Sequence, residues 1–156
     1  MGFRRNPVAQ RVGHTGPMLT IRRLIHPTRR VSAHCDLPCG IYDPDQARIE
    51  AESCLRILEK YADSDDRHFR ARCIHIKEER ADLVIHHLDD LWHDYFKPTH
   101  LEKYPDLHDT FWMAAKQASA VKGSLDVEEA RKLLTMIDRI GEMWKATGGP
   151  EKTRVQ

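Results

Sequence analysis

The chain has 156 residues, 40% hydrophobic and 31% charged, which fits one folded domain rather than a disordered protein, and no stretch reaches the roughly 18 uninterrupted apolar residues of a spanning helix. The formal net charge of +1 hides an asymmetry, because residues 1–33 hold seven Arg, no Lys and no acid, leaving −6 on residues 34–156. The four cysteines, Cys35, Cys39, Cys54 and Cys73, are too few to staple a chain of this length by disulfides.

The arm, residues 1–33, carries Pro7, Pro17 and Pro27 and scattered Arg. Its apolar residues are too interrupted for the core of a secretory signal. It reads as a tail without a fixed fold, compatible with a removable pro-segment. An Arg-rich, acid-poor organelle transit peptide is the rival reading. The small residues Val31-Ser32-Ala33 suit a protease junction before His34.

Next comes His34-Cys35-Asp36-Leu37-Pro38-Cys39. Two thiols four residues apart, with an imidazole beside the first, are dense soft ligands on a short loop that suit nickel, zinc or copper. A redox thiol pair or half of a zinc site are alternatives, although the two further zinc ligands at familiar spacing are absent.

Four helices follow. Asp43-Pro44 is a start signal for a helix over 44–62, an acid cap followed by Pro at the first helical position, and Ala47, Ala51, Cys54, Leu55, Leu58 and Tyr61 supply its 3-and-4 apolar rhythm. A second helix is predicted over 66–95 with the stripe Phe69, Cys73, Ile76, Leu83, His87 and Leu91, ending at Lys97-Pro98. A third covers 104–121 with Leu107, Phe111, Ala114, Ala115 and Ala118, stopped by Lys122-Gly123. Asp126 and Glu129 resemble a capping box for a fourth helix over 126–146, with Ala130, Leu133, Leu134, Ile137, Ile140 and Trp144. Gly148-Gly149-Pro150 ends it and opens a flexible tail, 148–156. The fold class is therefore all-α, an antiparallel up-down-up-down four-helix bundle over 44–147. There is no strand-period segment, sequence repeat or glycine-rich phosphate loop.

Cys54 and Cys73 lie in helical patterns, where cysteine packs as a small hydrophobe. The histidines His86, His87, His93, His100 and His108 do not build a di-iron bundle, which needs two Glu-x-x-His fragments. Asp90-x-x-His93 is the nearest fragment and has no partner. These histidines read as surface or hydrogen-bonded side chains. Arg80 interrupts an apolar stripe and, facing inward, requires a carboxylate; Glu50 is a candidate.

The run HCDLPCGIYDP at 34–44 resembles the nickel-hook motif of the nickel superoxide dismutases. The likeness continues through QARIEAES, HIKEER and LWHDYFKPTHLEKYP, over about 34–147. Ile41 stands where valine is usual, and the 33-residue extension is longer than the short leader of many members. The resemblance implies a nickel ion held by the amine and imidazole of His34, the amide nitrogen and thiolate of Cys35, and the thiolate of Cys39. It implies that Tyr42 guards the approach, that Asp36 and Pro38 shape the pocket, that Glu50 hydrogen-bonds the axial imidazole and that Arg80 holds Glu50. An ordinary helix–helix ion pair is the plain alternative for the last two.

The implied activity is conversion of superoxide to dioxygen and hydrogen peroxide by Ni(II)/Ni(III) cycling. A homohexamer, a protease that cuts Ala33–His34 and a bacterial cytoplasmic location follow from the same likeness, with the Arg-rich arm leaving organelle targeting open. Neither nucleic acid nor membrane is an expected partner. Two other classes stay open: a non-enzymatic nickel- or zinc-binding bundle for metal delivery, and a protein using Cys35 and Cys39 as a redox pair.

Overall fold

The computed structural model describes residues 42–149. The expectations for the arm, for residues 34–41 and for the tail from 150 onward lie outside the described residues. Five helices are present: α1 (Asp45–Ala62), α2 (Arg67–Asp90), α3 (Pro98–Lys103), α4 (Leu107–Gly123) and α5 (Val127–Ala146), with a π-helical turn, Leu91–Tyr95, extending α2. No strand occurs among the described residues, and no helix there is long and apolar enough to cross a membrane.

Three acids start the helices by accepting otherwise orphaned N–H groups. Asp43 Oδ1 takes the Asp45 N–H at 2.8 Å, Asp66 that of His68 at 2.9 Å, and Asp126 that of Glu128 at 2.9 Å. The predicted capping box at Asp126 is not closed. Ser124 Oγ takes the Asp126 N–H at 2.9 Å, while Glu129 accepts instead from Gln117 Nε2 and Lys132 Nζ, both at 2.7 Å. At the other end of α5, Gly148 adopts a φ of 88°, a left-handed conformation that favours glycine. A Cβ on Gly149 would stand 2.3 Å from the Trp144 indole.

Helices α1, α2, α4 and α5 form the bundle, α1 packing on α2 and α5 and α4 on the same two. Contacts along each seam run in opposite directions. On α1 and α2, Glu50 meets Arg80 at 3.2 Å while Tyr61 O accepts from Arg70 Nε at 3.3 Å. On α1 and α5, Arg48 meets Asp138 at 2.8 Å and Glu59 meets Arg131 at 3.5 Å. Asp106–Arg139 and Gln117–Glu129 set α4 against α5. Asp82–Lys122 and the Trp92–Phe111 ring contact set α2 against α4. The up-down-up-down arrangement follows.

The core stripes of α1, α4 and α5 hold the predicted residues, with only Tyr61, Ala115 and Leu134 left half-buried. On α2 the predicted phase is corrected. The buried positions are Cys73, Lys77, Ala81, Val84 and Leu88, continuing to Leu91, whereas Phe69 is exposed and Ile76, Leu83 and His87 are half-buried. A lysine and an alanine sit on the buried face, so counting large apolar residues tracks the flank instead.

The region between α2 and α4 differs from prediction as well. The Phe96 N–H reaches back five residues to Leu91 O at 3.1 Å, the bond of a π turn. Phe96 and Lys97 are extended, as required before Pro98. Pro98 then opens the short, unpredicted α3, with His100 Nδ1 accepting the Lys97 N–H at 3.2 Å. The third bundle helix consequently begins at Leu107 rather than 104.

Lys77 is the one charged side chain buried among the described residues, at 2% exposure. Its ammonium donates to Lys122 O at 2.8 Å and Ser124 O at 2.6 Å, closing the end of α4, where carbonyls lack helical partners. Burial pulls its pKa below the usual lysine value. Lys77→Met keeps the stem packing and strands these carbonyls, so it should cost about 2 kcal/mol. Urea unfolding checks this, and an unchanged midpoint contradicts it.

Candidate metal centre

Glu50 and Arg80 occupy matching places on the edge of the α1–α2 seam. Glu50 precedes buried Ala51 and lies one turn before Cys54; Arg80 precedes buried Ala81 and lies one turn after Lys77. One guanidinium nitrogen, Nη1, donates to both Glu50 oxygens, at 3.4 and 3.2 Å. The pair lies in an intermediate setting, with side-chain exposures of 15% for Glu50 and 38% for Arg80. A carboxylate has about four acceptor positions, so a single shared nitrogen leaves Glu50 able to take another N–H. Arg80 also borders an open groove of about 470 Å³ between α1 and α2, walled by Ile49, Ser53, Ile57 and Ile76.

Cys54 lies next to this pair but is not a ligand candidate. Its thiol donates to Lys77 O at 3.5 Å, and burial pushes its pKa up to about 11. It stays protonated at neutral pH, and the thiolate is the metal-binding form.

Tyr42 is the first described residue and packs against the core at one end of the bundle. Its ring lies 6.3 Å from that of Tyr95, centroid to centroid. Tyr95 comes from the π turn, and its hydroxyl makes contacts of 3.0 Å with Thr147 Oγ1 and 3.3 Å with Trp144 O. Phe96, His100 and Trp144 pack around the Tyr95 ring. Tyr42 stands at the end of the bundle where α1 begins. Of the predicted site residues, the structure brings Glu50 and Arg80 together and seats Tyr42 on the aromatic cluster. His34, Cys35, Asp36 and Cys39 lie outside the described residues.

The sequence model of the family described as nickel-containing superoxide dismutase matches residues 29–148. The chain belongs to this family. It is 54% identical over 127 residues to a nickel superoxide dismutase of Streptomyces seoulensis, a match covering 81% of this chain and 97% of the relative. A nickel superoxide dismutase of Streptomyces coelicolor is 52% identical over the same shares. A native structure of nickel superoxide dismutase superposes with a TM-score of 0.72 at 53% identity, over 73% of this chain and 97% of that one. A crystal structure of nickel-containing superoxide dismutase with oxidised-state nickel ligation gives 0.71 at 54% identity, over the same shares. The family supports neither the metal-delivery nor the redox-pair reading.

The donor chemistry suits the family's metal. The thiols of Cys35 and Cys39 and the imidazole of His34 are donors that favour nickel over hard cations, and Glu50 retains capacity to hydrogen-bond a ligand imidazole, the usual companion of a metal-bound histidine. Sequence reasoning missed Tyr95 and Lys77. Tyr95 sits where a π turn re-aims the helix, and π turns carry no apolar signature; a lysine on an apolar face was the available signal for Lys77.

If Glu50 orients a ligand imidazole and Arg80 holds Glu50, Glu50→Ala should lower kcat about 10- to 100-fold. Glu50→Gln, which keeps an acceptor oxygen, should retain more activity, and Arg80→Lys more than Arg80→Ala. An ion pair serving only stability would shift the melting temperature in all four variants while leaving kcat and the spectrum of the nickel-loaded protein alone.

Proposed function

We propose that the chain acts as a nickel-dependent superoxide dismutase in which His34, Cys35 and Cys39 hold the metal and Glu50, Arg80 and Tyr42 support it. The observation carrying this reading is the family match across residues 29–148, which includes the whole His34–Cys39 segment. Bound there, nickel would supply a one-electron Ni(II)/Ni(III) couple, by which one superoxide is oxidised to dioxygen and the next, taking up two protons, is reduced to hydrogen peroxide.

The protein's part is to provide donors, orient them and limit access. Cys35 and Cys39 would give anionic sulfur, which favours the higher oxidation state, and the Cys35 amide nitrogen and the His34 amine would complete the donor set. Glu50 accepts from the His34 imidazole and fixes the ring's direction, with Arg80 keeping the carboxylate in place. Tyr42, seated on Tyr95, narrows the approach to small anions, while Asp36 and Pro38 shape the loop.

The His34 amine exists only when the Ala33–His34 bond is cut, since a peptide nitrogen there is a poor ligand. Residues 1–33 are therefore a pro-segment removed by a processing protease. Support comes from the small residues Val31-Ser32-Ala33 before His34. The bundle assembles as a homohexamer. Exposed Ile49, Trp112, Met113 and Leu125 offer apolar contact surface for it. Its location is the bacterial cytoplasm.

The test compares residues 34–156 bearing a free His34 with the full-length chain, both loaded with nickel and assayed for superoxide removal. The trimmed chain should be active and the full-length chain nearly inactive, and Cys35→Ser or Cys39→Ser in the trimmed chain should abolish activity. Equal activity in trimmed and full-length chains would overturn the amine-ligand reading.

A further inference from the structure

The histidine pair set aside in the sequence gains a partner in the fold. His86 and Asp90 are one turn apart on α2 and share a face, and His87 turns its ring toward that of His86, the centroids 5.4 Å apart. One donor atom from each of His86, His87 and Asp90 lies within 4.8 Å of the others, and all three residues are half-buried. Among the described residues this is the one such grouping of histidine, cysteine and carboxylate side chains.

We propose that His86, His87 and Asp90 form a divalent-metal site that uses none of His34, Cys35 or Cys39. Two imidazoles and a carboxylate suit a borderline first-row cation, with water completing a tetrahedron around zinc. Bond lengths of roughly 2.0–2.2 Å place neighbouring ligand atoms about 3.3 Å apart. His86 Nε2 and Asp90 Oδ2 already stand 3.6 Å apart, and the His87 donor, within 4.8 Å of both, moves inward to close the set.

Two comparisons separate this cluster from a simple ion pair. His75 and Glu79 show the same spacing and the same 3.6 Å separation, but their side chains are 75% and 55% exposed and no second imidazole joins them. In the proposed site the Asp90 side chain is 15% exposed, and its contact with His86 is too long for a hydrogen bond. What sets it apart from the exposed pair is the mostly buried carboxylate and the second imidazole that joins it. His100 and His108 have different tasks, the first accepting the Lys97 N–H and the second packing edge-on against Trp92.

The test titrates Zn²⁺ into the nickel-loaded chain of residues 34–156 with a free His34 amine, and into its His86→Gln, His87→Gln and Asp90→Asn variants, by calorimetry, with nickel content measured afterwards. The unmutated chain should bind one Zn²⁺ per chain with micromolar affinity and keep its nickel. Each substitution should weaken binding at least 10-fold. Co²⁺ added to the unmutated chain provides a readout independent of the variants: it should give a d–d absorption band without sulfur-to-metal charge transfer. No zinc binding, binding unchanged in all three variants, or a thiolate–cobalt band would each overturn the proposal.

Discussion

Close approach of α1 and α2 is the constraint on which the rest of the molecule depends. Ala47, Ala51 and Cys54 on α1 and Ala81 on α2 are fully buried. Their small side chains let the Cys54 thiol reach a backbone carbonyl of the neighbouring helix at 3.5 Å. At that separation a Glu and an Arg flanking the seam meet directly, and a lysine on α2 can cross the core to close the end of α4. Larger residues on this seam would part Glu50 from Arg80 before they unfolded the bundle, because packed cores transmit strain.

The end of the bundle where α1 starts and α2 finishes is built from aromatic rings. The π turn at Leu91–Tyr95 swings Tyr95 into an aromatic cluster, where Tyr42 rests against it and α5 receives its hydroxyl contacts. Two separate anchors thus bracket the start of α1. Tyr42 stands at the chain's entry, and Glu50 lies between one and two turns into the helix. A rigid frame of this kind suits a site whose donors sit on a short segment, since misplacement of a ligand by an ångström is costly in catalysis.

Much of this was legible in the sequence because it rests on periodicity and capping. Helices α1, α4 and α5 could be read from their apolar stripes, and the acids Asp43, Asp66 and Asp126 mark starts for a local reason. The phase of α2 was not legible. Its buried face carries Lys77, whose place depends on carbonyls 45 and 47 residues away in the chain. The π turn and α3 were also missed, since bonds to the fifth residue back leave no pattern in composition and α3 buries no residue that would mark it. The contact of Glu50 with Arg80 followed from asking where an inward arginine finds a carboxylate, whereas the assignment of a nickel hook rested on resemblance to the family. The joint placement of His86, His87 and Asp90 needed side-chain positions, because on a helix the spacing of residues one and four apart does not say whether their rings converge.

On the proposed mechanism, the peptide bond before His34 must break before the full donor set exists. The most direct measurement is the N-terminal residue of the active protein, read by intact mass and Edman chemistry on nickel-loaded material purified from its own cells. The account predicts a chain that begins at His34. A fully active, nickel-loaded protein that retains Ala33 or anything before it would contradict the claim.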